Sequence, residues 1–186
     1  MSKTVNSYID FLATGEGRLA TAQISELWLK LHTTGKLSKM PVAFPKMKTG
    51  EKAHPGDILR VWGSASELED LKSIVLNSQI AVKHSEVKLV EDWDGKWVEY
   101  RRFRVRSRNQ KDRTPERVAA DARRRHAELQ KAETLPFVLM RSYSNHQHYR
   151  VMIEPMIFDE GSDFEELDAY GLSSGLRHVR LPLIRG

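Results

Sequence analysis

Residues 58–76 read ILRVWGSASELEDLKSIVL, and this strand–helix unit decides the fold. Ile58 to Trp62 is a short apolar run with strand chemistry. Ser66-Glu67-Leu68-Glu69 is spelled as a capping box, a hydroxyl and a carboxylate three residues apart that satisfy helix-end N–H groups. Leu68, Leu71, Ile74 and Val75 then share one helical face. Upstream, Tyr8 to Leu12 is an apolar run closed by the loop signal Thr14-Gly15-Glu16-Gly17. Ile24, Leu27, Trp28 and Leu31 recur at helical spacing, with Thr21 the candidate N-cap and Gly35 the candidate stop. Val42 to Phe44 is a brief strand ended by Pro45, and Val82 to Val90 reads as another. The order β-α-β-β-α-β is the ferredoxin-like pattern. Open sheets of that kind often offer a face to RNA, although fold alone does not give function.

The second half extends this to an α+β class: a ferredoxin-like domain over 1–92, then a smaller α+β domain over 93–186 with an Arg-rich helix. Asp94-Gly95 has hairpin-turn chemistry between Trp93 and Trp97. Val98 to Arg106 reads as a strand that puts Arg102, Arg104 and Arg106 on one face. Thr114-Pro115-Glu116 is a strong helix start, with Val118, Ala122 and Leu129 as its apolar stripe. On that helix Arg117 and Arg124 share a face, while Arg123 and Arg125 splay to either side. Leu135 to Met140 and His148 to Ile153 read as strands around the polar turn Ser144-Asn145-His146-Gln147.

Charge is concentrated in one place. Residues 96–126 hold twelve Lys or Arg against four acids, a local net of +8 in a chain whose total is +5. Ten of the twelve are Arg, whose forked guanidinium suits phosphate and guanine edges better than Lys does. Such a patch is the electrostatic footprint of a nucleic-acid surface; the bland alternative is a solvated helix face.

Composition narrows the rest. With 186 residues, 40% apolar and 30% charged, the chain is long enough for one well-buried domain or two small ones and reads as soluble and globular. No apolar run of membrane-spanning length occurs, and Met1 to Tyr8 carries no apolar signal region. The absence of Cys excludes disulfides, thiolate metal sites and Cys nucleophiles, and fits a reducing cytoplasm.

RNA can be cut without metal when a base takes the 2′-hydroxyl proton and donors hold the phosphate. Histidine is the usual base, because its ordinary pKa lies near neutrality. Seven His are present, and composition does not choose among them. His32 ends the first amphipathic helix, where a plain helix-dipole contact would also explain it. His146 and His148 could share a strand face toward a metal, but no third ligand follows at suitable spacing, so no metal is assigned. Residues 154–168 hold seven acids and no Lys or Arg, a pattern read as a solvated loop rather than a cation site. Gly171 and Gly175 allow close backbone approach to a ligand.

Leu135-Pro136-Phe137-Val138 through Arg141-Ser142, then Gln147-His148-Tyr149-Arg150 and Tyr170-Gly171-Leu172-Ser173, resemble the CRISPR repeat-processing endoribonuclease of type I-F systems. Lys30-Leu31-His32, Val42-Ala43-Phe44-Pro45 and Arg124-Arg125-His126 extend the likeness, in order, over about residues 8 to 175. The resemblance implies a cofactor-free enzyme that binds the hairpin of CRISPR repeat RNA. It would cleave at the hairpin's 3′ base to a 2′,3′-cyclic phosphate, then remain on the mature crRNA as a subunit of a surveillance complex. By the same likeness His32 is the catalytic histidine, Ser142 holds the ribose and Tyr170 orients His32. Ser144 and Asn145 approach the scissile phosphate, Arg104 reads a guanine, and Tyr149 stacks on the terminal base pair. The helix with Arg117, Arg123, Arg124 and Arg125 would lie in the RNA major groove. Departures are Arg106, where relatives can have Gln, and Tyr149 in place of Phe. Two other readings stand beside this one: an RNA-hairpin-binding subunit that no longer cuts, and a binding module for DNA or ribosomal-type RNA on a ferredoxin-like sheet.

Overall fold

The computed structural model describes residues 6–107, 114–142, 146–163, 167–175 and 177–185. Strand β1 (Ser7–Ala13) leads into helix α1 (Gly17–Thr33), a short 3-10 turn (Lys36–Lys39), β2 (Val42–Ala43), β3 (Ile58–Gly63) and α2 (Ala65–Leu76). After α2 come β4 (Val82–His84) and β5 (Lys88–Leu89), both paired antiparallel with β1. The sheet order β2-β3-β1-β4, antiparallel throughout, is the ferredoxin-like arrangement expected from the sequence.

The local signals sit slightly off their expected places. The capping box is Ser64 with Glu67, not Ser66 with Glu69, because the helix opens immediately after β3. The Ser64 hydroxyl accepts from Glu67 N (3.4 Å) and the Glu67 carboxylate accepts from Ser64 N (3.1 Å). Helix α1 starts four residues before Thr21, at Gly17, whose φ of +54° suits glycine. The strand expected over Val82–Val90 is broken at Ser85, whose N–H donates to the Asp10 carbonyl (2.8 Å).

The second sheet is β7 (Phe137–Arg141), β8 (His148–Phe158), β6 (Trp97–Phe103) and β9 (Leu181–Pro182), in that order. β6 ends at Phe103, so Arg104 and Arg106 lie beyond the strand on which the alternation had placed them. Asp94-Gly95 joins the two sheets instead of closing a hairpin, since β5 and β6 belong to different sheets. Helix α3 (Pro115–Glu133) buries none of its residues. Its expected apolar stripe faces outward, with Val118 55% and Leu129 44% exposed. The half-buried row is Asp121, Arg125, Glu128 and Ala132, so α3 is held by polar contacts. Glu128 accepts from Arg106 N (3.0 Å), Arg125 donates to the Arg106 carbonyl, and Lys131 pairs with Glu154.

One core runs through both sheets, from Ile9, Phe11 and Trp28 to Val138, Val151 and Leu181. Helix α1 packs on β1 and β3 and also on β7, which places its C-terminal end against the second half. Opposite the helices, the outer face of the first sheet carries Tyr8, Asp10, Arg60 and Trp62, each 6% exposed or less. Arg60 pairs with Asp10 through Nε–Oδ1 (2.6 Å) and Nη2–Oδ2 (2.9 Å), lies over the Tyr8 ring, and donates to the Ile184 carbonyl (2.8 Å). The C-terminal segment thus covers the face that open sheets of this kind give to RNA, which removes the reading of an exposed sheet platform.

That segment is also pinned to β6. Glu99, with 0% exposure, pairs with Arg101 (Nε–Oε1 2.6 Å) and with His178 Nδ1 (2.9 Å). Burial opposes its ionisation, but the hydrogen bonds from Arg101 and His178 outweigh this and hold the carboxyl below its usual range.

Candidate active site and nucleic-acid interface

The site is built where α1 ends against the loop before β9. His32 occupies the last turn of α1, half-buried. Its Nδ1 lies 2.8 Å from the Ala169 carbonyl oxygen. A carbonyl only accepts, so Nδ1 carries the proton in this contact and neutral His32 keeps its lone pair on Nε2. The imidazole also stacks on the Tyr170 ring, with centroids 4.3 Å apart and planes 9° apart. The helix-dipole reading of His32 accounts for neither contact.

Tyr170 is fixed from several sides. Its hydroxyl lies 2.8 Å from the Tyr149 hydroxyl on β8. Arg102 of β6 lies over its ring, 4.4 Å from the centroid. Its carbonyl accepts from Trp28 Nε1 (2.9 Å), one turn before His32 on α1. Burial and the bond to Tyr170 push the Tyr149 hydroxyl up to about 12, so it stays protonated at neutral pH.

The loop 168–172 presents three successive carbonyls to three partners: Ala169 to His32, Tyr170 to Trp28, and Gly171 to Val42 N (3.0 Å). Asp168 closes this loop, its Oδ1 accepting from Tyr170 N (2.9 Å) and Leu172 N (3.0 Å). The sequence had grouped Asp168 with a solvated acidic run, yet it is half-buried. Burial pushes its carboxyl above the ordinary value, against those N–H bonds and the nearby charges of Arg102 and Arg104. Gly171, expected to admit a ligand, admits its own chain. With φ at +75°, a Cβ there would lie 2.7 Å from the Met40 carbonyl oxygen.

Ser142 follows β7 directly and is half-buried, its N–H donating to the Gln147 carbonyl (2.9 Å). Two residues earlier, on β7, Met140 pairs with Tyr149 across the ladder to β8. Ser144 and Asn145 lie outside the described residues, as do Arg108, Lys111 and Arg113. His146 and His148 are exposed, and among the described residues no group of three or more His, Asp or Glu could hold a metal ion.

The basic surface begins beside this cluster, with Arg102 over the Tyr170 ring, and continues along α3. Arg117, Arg123 and Arg124 are exposed along α3, and Arg125 is half-buried against Arg106. Arg104 is exposed just beyond β6 and near enough to Asp168 for its charge to act there. Arg106, its side chain 72% exposed, faces Glu128 at 3.7 Å. Of the residues that build the site, Trp28 reads in the sequence only as a core position, Arg102 as part of a basic strand face and Asp168 as part of an acidic run, while Ala169 carries no signal of its own. Only Asp168-Ala169-Tyr170-Gly171 carried a local signal, an Asp two residues before the N–H it binds and a Gly to close the turn.

Among the described residues no helix is long and apolar enough to cross a membrane. A family model described as CRISPR-associated protein (Cas_Csy4) matches residues 8–182. No curated protein matches the chain.

Proposed function

The chain belongs to the Cas_Csy4 family of CRISPR-associated proteins and so to CRISPR RNA processing; from that premise we propose that it is a metal-independent endoribonuclease of a type I-F system. It binds the hairpin of the repeat RNA and cuts at the 3′ base. The observation that carries this reading is the His32–Ala169 contact, which fixes the proton on Nδ1 and leaves Nε2 as a base. Nε2 takes the proton of the 2′-hydroxyl. The 2′-oxygen then bonds to the adjacent phosphorus and the bond from phosphorus to the 5′-oxygen breaks; that oxygen takes a proton from water and leaves as a hydroxyl, and the His32 imidazolium returns its proton to solvent. The products are a 2′,3′-cyclic phosphate and a 5′-hydroxyl end.

In this reading residues 1–92 supply the base and residues 93–186 hold the RNA. Ser142 holds the ribose, Tyr170 holds the His32 ring by stacking, and Ser144 and Asn145 lie near the scissile phosphate. Tyr149 serves both the terminal base pair and the Tyr170 hydroxyl. After cutting, the protein stays on the mature crRNA, in the cytoplasm, as a subunit of an RNA-guided surveillance complex.

Cleavage of the cognate repeat RNA proceeds in EDTA, and end mapping finds the cyclic phosphate. A 2′-deoxy nucleotide at the cut abolishes cleavage and leaves binding nearly intact. A strict need for Mg²⁺ sinks the proposal, and tight binding without any cleavage favours a non-cutting subunit.

Affinity and sequence choice divide between two groups of arginines. Arg117→Ala or Arg124→Ala weakens binding to all hairpins alike and flattens the log–log salt slope by about one unit. Arg104→Ala costs the cognate stem about 1–3 kcal/mol more than a stem with an altered base pair near the cut. Arg106→Ala does the same if its guanidinium leaves Glu128 for a base. Equal losses on both stems would make these arginines phosphate contacts.

A further inference from the structure

We propose that Asp168 is a positioning residue for His32: it folds the 168–172 loop so that the Ala169 carbonyl meets Nδ1 and fixes the imidazole tautomer. This rests on the reading of His32 as the base. The geometry is a closed device. Asp168 Oδ1 accepts from Tyr170 N and Leu172 N, Asp168 N donates to the Leu172 carbonyl (3.1 Å), and Gly171 N donates to the Asp168 carbonyl (3.0 Å). Leu172, fully buried, anchors the loop in the core.

Ala169 is exposed and its methyl group can form no hydrogen bond, so the turn is what aims its carbonyl. Removing the carboxylate frees Tyr170 N and Leu172 N at a half-buried place, and the turn must open to satisfy them. His32 then loses the acceptor that selects Nδ1–H. In free imidazole both neutral tautomers are available, and the one protonated on Nε2 has no lone pair to give a 2′-hydroxyl there. Fixing an imidazole through the partner of its other nitrogen is a general way to set which nitrogen reacts. Asp168 touches no reacting atom in this account; it acts through Ala169.

The role separates from charge, because Asn keeps an acceptor oxygen. In Asp168→Asn the amide oxygen can accept from Tyr170 N and Leu172 N without the negative charge. Asp168→Ala removes the acceptor, and Asp168→Glu moves the carboxylate one methylene too far to bridge both N–H groups.

The test uses the full chain, labelled with ¹⁵N, and the imidazole nitrogen shifts of His32, assigned by their loss in His32→Ala. The native protein shows the Nδ1–H tautomer. Asp168→Ala shows a tautomer mixture and cleaves up to roughly 100-fold more slowly, the scale of a displaced catalytic group. Its binding of a 2′-deoxy hairpin changes less than twofold, and Asp168→Asn keeps the native spectrum and most of the rate. Should Asp168→Ala fail to fold, Asp168→Glu replaces it with the same expectation. A folded Asp168→Ala or Asp168→Glu with the native tautomer overturns the inference, as does an Asp168→Asn as slow as Asp168→Ala. If the native protein cuts no RNA, the proposed function fails while the imidazole spectra still decide this inference.

Discussion

His32→Ala lowers the cleavage rate by roughly 10²–10⁴, the range of a lost general base, while affinity for the repeat hairpin changes little. The reason lies in where the ring is held. Its Nδ1 is committed to Ala169 and its face to Tyr170, so the nitrogen left for substrate is Nε2. If His32 served only the end of α1, its loss would cost a few tenths of a kcal/mol up to about 1 kcal/mol of stability and leave cleavage normal. Single-turnover rates and melting temperatures on one preparation separate the two. A His32→Ala protein that cuts at the native rate ends the assignment of His32 as base.

Asp10→Ala lowers folding stability by about 3–5 kcal/mol, the scale for leaving one partner of a buried ion pair alone. Arg60 is 2% exposed, and without the carboxylate its guanidinium keeps the Ile184 carbonyl and the Tyr8 ring but no counter-charge. In a chain of this size each kcal/mol is worth about 2–4 °C in melting temperature, so the shift is easily read. Replacing both partners, Asp10→Leu with Arg60→Met, recovers most of the loss, because a well-packed apolar pair carries no desolvation cost. Thermal and urea unfolding of the two variants check this. An Asp10→Ala protein within about 1 kcal/mol of native, the worth of an exposed pair, would mean that the C-terminal segment does not seal this face.

Much of the fold was legible locally. The spacing of Ile24, Leu27, Trp28 and Leu31 marked α1, and all four are buried. Thr114-Pro115 marked the start of α3. The β-α-β-β-α-β order was right because alternation, helical period and turn residues each act within a few positions. The errors have physical causes. Val118, Ala122 and Leu129 have the spacing of a core stripe, but α3 docks by Asp121, Arg125 and Glu128, and a polar docking face has no hydrophobic period to detect. Alternation continues past Phe103 and so predicts a strand through Arg104 and Arg106, but the ladder to β8 stops at Phe103. The strand β9 leaves no signal in the sequence, because two residues, Leu181-Pro182, are too short a pattern to stand out.

The sequence by itself determined the element order, the concentration of Arg in residues 96–126, and the residue types from which a site could be made. Tertiary structure alone decided that His32 meets the carbonyl of a residue 137 positions away, and that Asp168 belongs to a folded turn and not to an acidic surface. It also decided that Tyr149 reaches Tyr170 and that Arg60 closes the outer face of the first sheet. Capping and periodicity report energies that arise within one or two helical turns. The tautomer of an imidazole depends on one acceptor placed to a fraction of an ångström, and only the joint packing of α1, β2 and the 168–172 loop puts it there.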